Sequence, residues 1–180
     1  MKSNRKSSEN IRIGYLGGLD GRKNVKLLVD VFKALYAERD DIELHIAGGG
    51  ANLEKFRSMN ISNATFYGPT DPAKAPEFYN NIDIFVMPSL QEGFGMMTLE
   101  AMSCGVATIG VDRTSTPEII GDAGVLVKPD ASALAKAISR LADNKKLRDR
   151  VAAACLKRSA SFSWKRCATD TMKVYGEAMK

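Results

Sequence analysis

In the stretch QEGFGMMTLEAMSCGVATIG, residues 91–110, Glu92 and Glu100 bracket a glycine-flanked phenylalanine and the start of an apolar run. Gly93 and Gly95 carry no Cβ, so the backbone between the two carboxylates can come close to a ligand. A helix opening near Met96 would present unpaired N–H groups and a partial positive charge, which suits a phosphate. Glu100, in the first turns of that helix, can accept paired hydrogen bonds from vicinal hydroxyls. Glu92, ahead of the turn, can hold a second hydroxyl-bearing group beyond the phosphates. Acceptor carboxylates at both ends with phosphate donors between them describe a sugar–diphosphate–ribose molecule. The residues also allow a plainer reading, with Glu92 on a loop surface and Glu100 as a partner of the helix dipole.

The elements that would position these groups alternate between β-type runs and helical spacing, the pattern of a doubly wound α/β fold. Strands are predicted at 11–16, 42–47, 64–67, 82–87, 106–110 and 124–127. Helices are predicted at 25–36, 51–59, 76–80, from near Met96, and at 131–142, 146–159 and 164–179. The run IDIFVM at 82–87 is almost wholly apolar, as expected for a parallel strand covered on both faces. Pro88 ends it, because proline cannot continue a central ladder. The expected fold class is therefore α/β: a Rossmann-like three-layer α/β/α domain with a mostly parallel six-stranded sheet. Residues 1–10 (MKSNRKSSEN) read as a flexible tail or linker, and residues 11–180 as the single folded domain. Ligands of such sheets sit beyond the carboxyl ends of the strands, and each glycine-rich stretch here falls just after a strand.

Composition excludes several classes. The three cysteines, Cys104, Cys155 and Cys167, form no CxxC, which argues for a reducing compartment and against a disulfide framework or zinc site. A single histidine, His45, cannot supply a multi-histidine metal centre. No apolar run approaches the roughly 18 residues of a membrane span. The net charge of +5 suits anionic partners such as phosphates or acidic membrane surfaces, although the basic run at 145–158 reads as a solvated helix face. Nucleic acid is not expected, since no aromatic–basic platform or known binding motif is present. Gly14, Gly17, Gly18 and Gly21 give GxxGGxxG rather than GxGxxG, and no GxxxxGK[ST] occurs. Hydride transfer and P-loop hydrolysis thus lose their main sequence support.

The segment E-GFGMMTL-E, followed by AMSCGVATIG, resembles the donor-site motif of retaining glycosyltransferases of family four. LGGLDGRKNVKLLVDVF is similar to that family's opening strand, loop and helix, and LHIAGGG to its second strand and glycine turn. FYGPT, YNNIDIFVMPSLQEGFG, PEIIGDAGVLVKPD and the closing FSW…YGEAM follow in the family's order over nearly the whole chain. The resemblance implies a GT-B architecture of two Rossmann-like domains facing across a cleft, with this chain as the C-terminal, nucleotide-sugar-binding half. It implies that Glu100 binds the ribose hydroxyls and that Glu92 sits beside the donor sugar. Backbone amides of Gly95, Met96 and Met97, after Gly93 and Phe94, would contact sugar and diphosphate, their side chains serving mainly for packing. Lys23 would neutralise the diphosphate and stabilise the leaving group, while Gly17 belongs to the same first loop. Gly49, Pro69 and Thr70 would border the base.

The implied function is transfer of a hexose, with retention and without metal or cofactor, from a nucleotide-diphosphate sugar. The acceptor, a lipid or polysaccharide, would be held by an N-terminal domain or partner subunit, in the cytoplasm or at the inner membrane face. Two departures stand out. Gly18 occupies the place of an arginine that serves the family as second diphosphate clamp, for which Arg22 could substitute. The family's glycine pair before Pro-Glu is replaced by Arg113-Thr114-Ser115-Thr116. Gly18 favours the alternative of a non-catalytic nucleotide-binding or regulatory module of the same fold. An epimerase or phosphorylase of that fold has no motif in its support. Outside the motif, His45 reads as a core or edge residue, Asp83 as a local cap or pair, Glu118 as a group orienting the donor loop, and Trp164 as an anchor for the last helix.

Overall fold

The computed structural model describes residues 10–179, so the tail expected at 1–10 lies outside the described residues except for Asn10. The strands β1 (Ile11–Leu16), β2 (Ile42–Ala47), β3 (Ala64–Gly68), β4 (Ile84–Met87), β5 (Ala107–Val111) and β6 (Val125–Val127) form one sheet in the order β3-β2-β1-β4-β5-β6. Every pairing is parallel, which sharpens the expected mostly parallel sheet to a fully parallel one. Strand order reverses between β1 and β4, where Ile13 lies opposite Ile84 and Gly14 opposite Phe85. In doubly wound sheets ligands sit beyond the carboxyl ends of the strands at such a reversal.

Eight helices flank the sheet among the described residues: α1 (Val25–Tyr36), α2 (Leu53–Arg57), α3 (Ala75–Asn80), α4 (Met96–Ser103), α5 (Thr116–Ile120), α6 (Ala131–Asp143), α7 (Lys145–Ser159) and α8 (Trp164–Ala178). Helical spacing in α1 puts Val25, Leu28, Val29, Val31, Phe32 and Leu35 on its buried side, and α1 packs beside α6. Every residue of β4 and β5 is buried, as strands covered on both faces must be. Asp130 and Asn144 start α6 and α7 by accepting the amides of Ala133 at 2.8 Å and Leu147 at 2.9 Å.

Several boundaries differ from expectation. The strand predicted from residue 82 starts at Ile84, because Ile82 fills the space beside Gly14 and Asp83 turns to β1. Asp83 accepts the Arg12 amide at 2.9 Å and its guanidinium at 3.4 Å, a pairing across the sheet rather than a local cap. The helix predicted at 51–59 shrinks to α2, with Asn60 turning left-handed at φ 46° just beyond. The unpredicted α5 holds only five residues, too few to show a period. Its Ile119 and Ile120 join Met102 and Cys155 in a second apolar cluster tying α4, α5 and α7 together. Trp164 does not anchor α8: its exposure is 76%, and no residue of that helix is buried. Among the described residues no helix is long and apolar enough to cross a membrane.

Candidate functional site

Three loops meet at the carboxyl edge of β1, β2 and β3. The amides of Gly17 and Leu19 donate to Ala47 O at 3.0 Å and Gly49 O at 2.8 Å, and the Gly48 amide donates to Gly68 O at 2.7 Å. Gly48 is required by this closeness: its φ is +126°, and a Cβ there would strike the Gly17 carbonyl oxygen. Asn52 adds a side-chain bond to Leu19 O at 2.8 Å. Pro69 approaches Gly49, and Thr70 Oγ1 donates to Gly68 O at 3.3 Å. Gly17 of the first loop thus joins Gly49, Pro69 and Thr70 in one rim.

The first loop continues into a short 3-10 turn at Gly21–Lys23, held by Asp20, whose carboxylate accepts the amides of Arg22 at 3.0 Å and Lys23 at 3.3 Å. This turn aims Lys23 across the switch point. Its Nζ donates to both oxygens of Glu92, at 2.8 and 2.9 Å, and the side chains are only 15% and 6% exposed. The two residues expected to act on diphosphate and sugar are therefore one buried ion pair. The Leu90 amide donates to Arg22 O at 3.0 Å and fixes the donor loop, residues 88–95, to the first loop. Arg22's own guanidinium stays outside this pair: it lies 68% exposed, 3.4 Å from Asp20. At Gly18 a Cβ would meet only Asp20, at 3.6 Å, so the chain leaves room for a side chain there. The Gly18 carbonyl accepts the buried Tyr15 hydroxyl at 2.7 Å, and burial, followed by the Glu92 and Asp20 charges, raises the Tyr15 phenol so that it remains a donor.

Gly95 opens α4 in the left-handed region at φ +98°, and no side chain caps the helix. The amides of Thr98 and Leu99 both turn back to Gly95 O, at 3.0 and 3.2 Å. One buried polar atom in this turn, Thr98 Oγ1, has no hydrogen-bond partner. Glu100 lies half-buried on the next turn, and the buried Tyr79 of α3 donates to its Oε2 at 3.0 Å. Burial first, then the Glu100 carboxylate, raises Tyr79 well above the usual phenol range, so it stays protonated and holds one oxygen of Glu100. Phe94 is 41% exposed with its ring edge-on to Phe162, Met96 is 38% exposed, and Met97 reaches towards Gly17. Gly93 faces open space: a Cβ there would meet nothing within 4 Å among the described residues, so none of them demands glycine.

The loop after β5 holds the donor loop from the other side. Thr114 Oγ1 accepts the Glu92 amide at 3.0 Å, and Ser115 Oγ donates to Phe94 O at 2.9 Å. Glu118, expected to do this orienting, is exposed, and its carbonyl instead accepts Arg158 at 2.6 Å. Arg113 is exposed at the loop's start. His45 of β2 lies half-buried between Tyr67 OH at 2.8 Å and Glu43 at 3.1 Å. Sequence reasoning missed Tyr79, Thr98, Thr114 and Ser115 as site residues. Only the substitution of a glycine pair at 113–116 gave any signal for the last two.

A parallel sheet with helices on both faces and an ion pair, an uncapped helix and a second carboxylate at its switch point defines a Rossmann-like domain, whose ligands in general sit beyond the carboxyl ends of the strands. Residues 1–158 match the model of the family glycosyl transferases group 1, and the chain belongs to that family; α8 lies beyond the matched residues. Among curated relatives, O-antigen chain mannosyltransferase B from Escherichia coli is 31% identical over 169 residues, covering 89% of this chain and 44% of that protein. Phosphatidyl-myo-inositol mannosyltransferase from Mycobacterium leprae (strain TN) is 30% identical, covering 89% of this chain and 45% of the relative. The chain thus spans less than half the length of these relatives. Its fold is like the C-terminal domain of a glycosyl transferase group 1 family protein from Francisella tularensis, with a TM-score of 0.74, 25% identity, and coverage of 84% of this chain and 85% of that domain. It is also like sucrose-phosphate synthase from Thermosynechococcus elongatus, with a TM-score of 0.82 and 24% identity over 95% of this chain and 46% of that one.

Proposed function

We propose that this domain binds a nucleotide-diphosphate sugar along the carboxyl edge of β1 and β4. Joined to an N-terminal acceptor domain, it transfers the hexose with retention and without metal or cofactor. The observation that carries this reading is the Lys23–Glu92 ion pair between the loops after β1 and β4, with the uncapped start of α4 three residues beyond Glu92 and Glu100 on the next turn of that helix. Diphosphate and sugar are assigned to the first two groups, the ribose to Glu100 and the base to the rim of residues 17, 49, 69 and 70. Tyr79 occupies one side of the Glu100 carboxylate and leaves lone pairs for the ribose diol. Gly95, Met96 and Met97 offer amides at the positive end of α4 to the phosphates. Lys23 has three donor protons, of which Glu92 engages two, so one remains for the diphosphate as negative charge grows on the leaving group. Glu92 accepts from a sugar hydroxyl; its pairing with Lys23 fits a clamp better than a proton carrier.

Polysaccharide or glycolipid acceptors are supported by the relatives from E. coli and M. leprae, named for O-antigen chain and phosphatidyl-myo-inositol mannosylation. The exposed apolar residues of α8, Trp164, Met172, Val174 and Tyr175, offer a surface for the acceptor half. Three unpaired thiols fit a reducing, cytoplasmic setting, with the acceptor at the inner membrane face. Isothermal titration of the chain with UDP-glucose, GDP-mannose and ADP-glucose tests the reading, and no heat from any of them at millimolar concentration sinks it. The second reading, a non-catalytic nucleotide-binding or regulatory module, is favoured by Gly18, where a Cβ would meet only Asp20 and no side chain supplies the second positive clamp. Gly18→Arg should fold normally and tighten nucleotide diphosphate binding; unchanged binding removes the basis of that reading.

A further inference from the structure

We propose that Thr114 and Ser115 are positioning residues that set Glu92 for the sugar half of the ligand, an inference that rests on the reading of Glu92 as the group beside the donor sugar. Residues 91, 93 and 94 of the donor loop are exposed, and a Cβ on Gly93 would touch nothing. Apart from the edge-on contact of Phe94 with Phe162, apolar packing does little to fix this part of the loop. Hydrogen bonds do so instead: the Glu92 amide reaches Thr114 Oγ1 at 3.0 Å, and Ser115 Oγ reaches Phe94 O at 2.9 Å and Glu92 O at 3.4 Å. The Glu92 carboxylate is in turn set against Lys23. Backbone and side chain of one residue are thus held by the loops after β5 and β1, the strands on either side of β4.

The backbone of Thr114 carries the second observation. Among the described residues four non-glycines have left-handed φ: Asn24, Asn60, Asn63 and Thr114, the last at +48°. Asparagine tolerates that region, whereas a β-branched residue is strained in it. Glycine or asparagine would rest there more easily, but glycine has no hydroxyl to give the donor loop. Strain retained at a residue that holds a ligand-facing group points to a role in the site rather than in folding. Thr114 and Ser115 touch Glu92 and Phe94, not the ligand, so they act through the loop.

Thr114→Gly separates the two roles, since it relieves the backbone and deletes the hydroxyl. Affinities for the pairs GDP-mannose and GDP, UDP-glucose and UDP, and ADP-glucose and ADP are measured by titration, together with the melting temperature and the NMR exchange rate of the Glu92 amide. The expected result for Thr114→Gly is a melting temperature no lower than wild type and faster exchange at Glu92. The sugar-nucleotide to nucleotide affinity ratio should fall roughly three- to tenfold. Ser115→Ala should lower the ratio likewise, and Thr114→Ser should keep it. An unchanged ratio, unchanged exchange at Glu92, or a parallel loss of stability and of all nucleotide binding in Thr114→Gly overturns the proposal. A wild type that binds none of the six compounds is a different failure: the functional reading itself falls, and the positioning role with it.

Discussion

Replacing Glu92 by glutamine removes one charge from a pair nearly out of water and should weaken the fold while strengthening one class of ligand. The pair meets at 2.8 Å with side chains 15% and 6% exposed. At an effective dielectric near 20, that separation gives an attraction of about 6 kcal/mol, most of which the desolvation of both ions offsets. One-sided removal leaves Lys23 with its burial cost and no charged partner. Discounted for the exposed part of Lys23, the destabilisation should be about 2–3 kcal/mol. Lys23→Met should cost a similar amount, and the double variant less than the sum, with a coupling of about 1–3 kcal/mol. Urea unfolding followed by circular dichroism gives all three values. The freed Lys23 charge should tighten binding of GDP, UDP or ADP roughly fivefold, equivalent to about 1 kcal/mol, while Lys23→Met weakens it. Wild-type stability in Glu92→Gln, or weaker diphosphate binding, would refute the idea that the two residues form one buried electrostatic unit at the phosphate position.

Three further outcomes follow from single contacts. Tyr79→Phe removes the donor that orients Glu100, so nucleotide affinity should fall roughly three- to tenfold with the fold intact by circular dichroism; equal affinity would show that Glu100 needs no such support. Burial lowers His45 against an opposing pull from Glu43. A histidine depressed on folding contributes stability above its unfolded value, about 6.5, that is lost as the pH falls through it. Urea midpoints of wild type should therefore drop more steeply from about pH 7 to 5 than those of His45→Gln, and parallel profiles would contradict the shift. Trp164→Ala should change the stability of this domain by less than about 0.5 kcal/mol, since the ring is 76% exposed; a melting temperature several degrees lower would show a packing role.

Strong periodicity made most of the fold legible. The apolar run before Met87, the helical spacing of α1 and the glycines after β1 and β2 each report a local rule, and the structure follows them. Local rules fail where geometry is made at a distance. Trp164 reads as an anchor from its type alone, but none of the described residues buries a side chain of α8. Glu118 looks like the orienting group because it neighbours proline, yet Thr114 and Ser115 are the residues that reach the donor loop. Glu92 and Glu100 could be singled out because glycines and an apolar helix lie between them. Their pairings could not, since Lys23 approaches from the first loop and Tyr79 from α3, 69 and 21 residues away. Pairing with Lys23 also changes the chemistry read from Glu92, from a lone hydroxyl acceptor to half of an ion pair.

The most direct test of donor binding at the switch point is an amide NMR titration of the chain with GDP-mannose, UDP-glucose and ADP-glucose. The expected result is saturable shifts from at least one of them, concentrated at Gly95, Met96 and Met97 and at the loop carrying Lys23, and lost in Glu100→Ala. Saturation with shifts confined to another surface, or no shifts from any of the three, would contradict it.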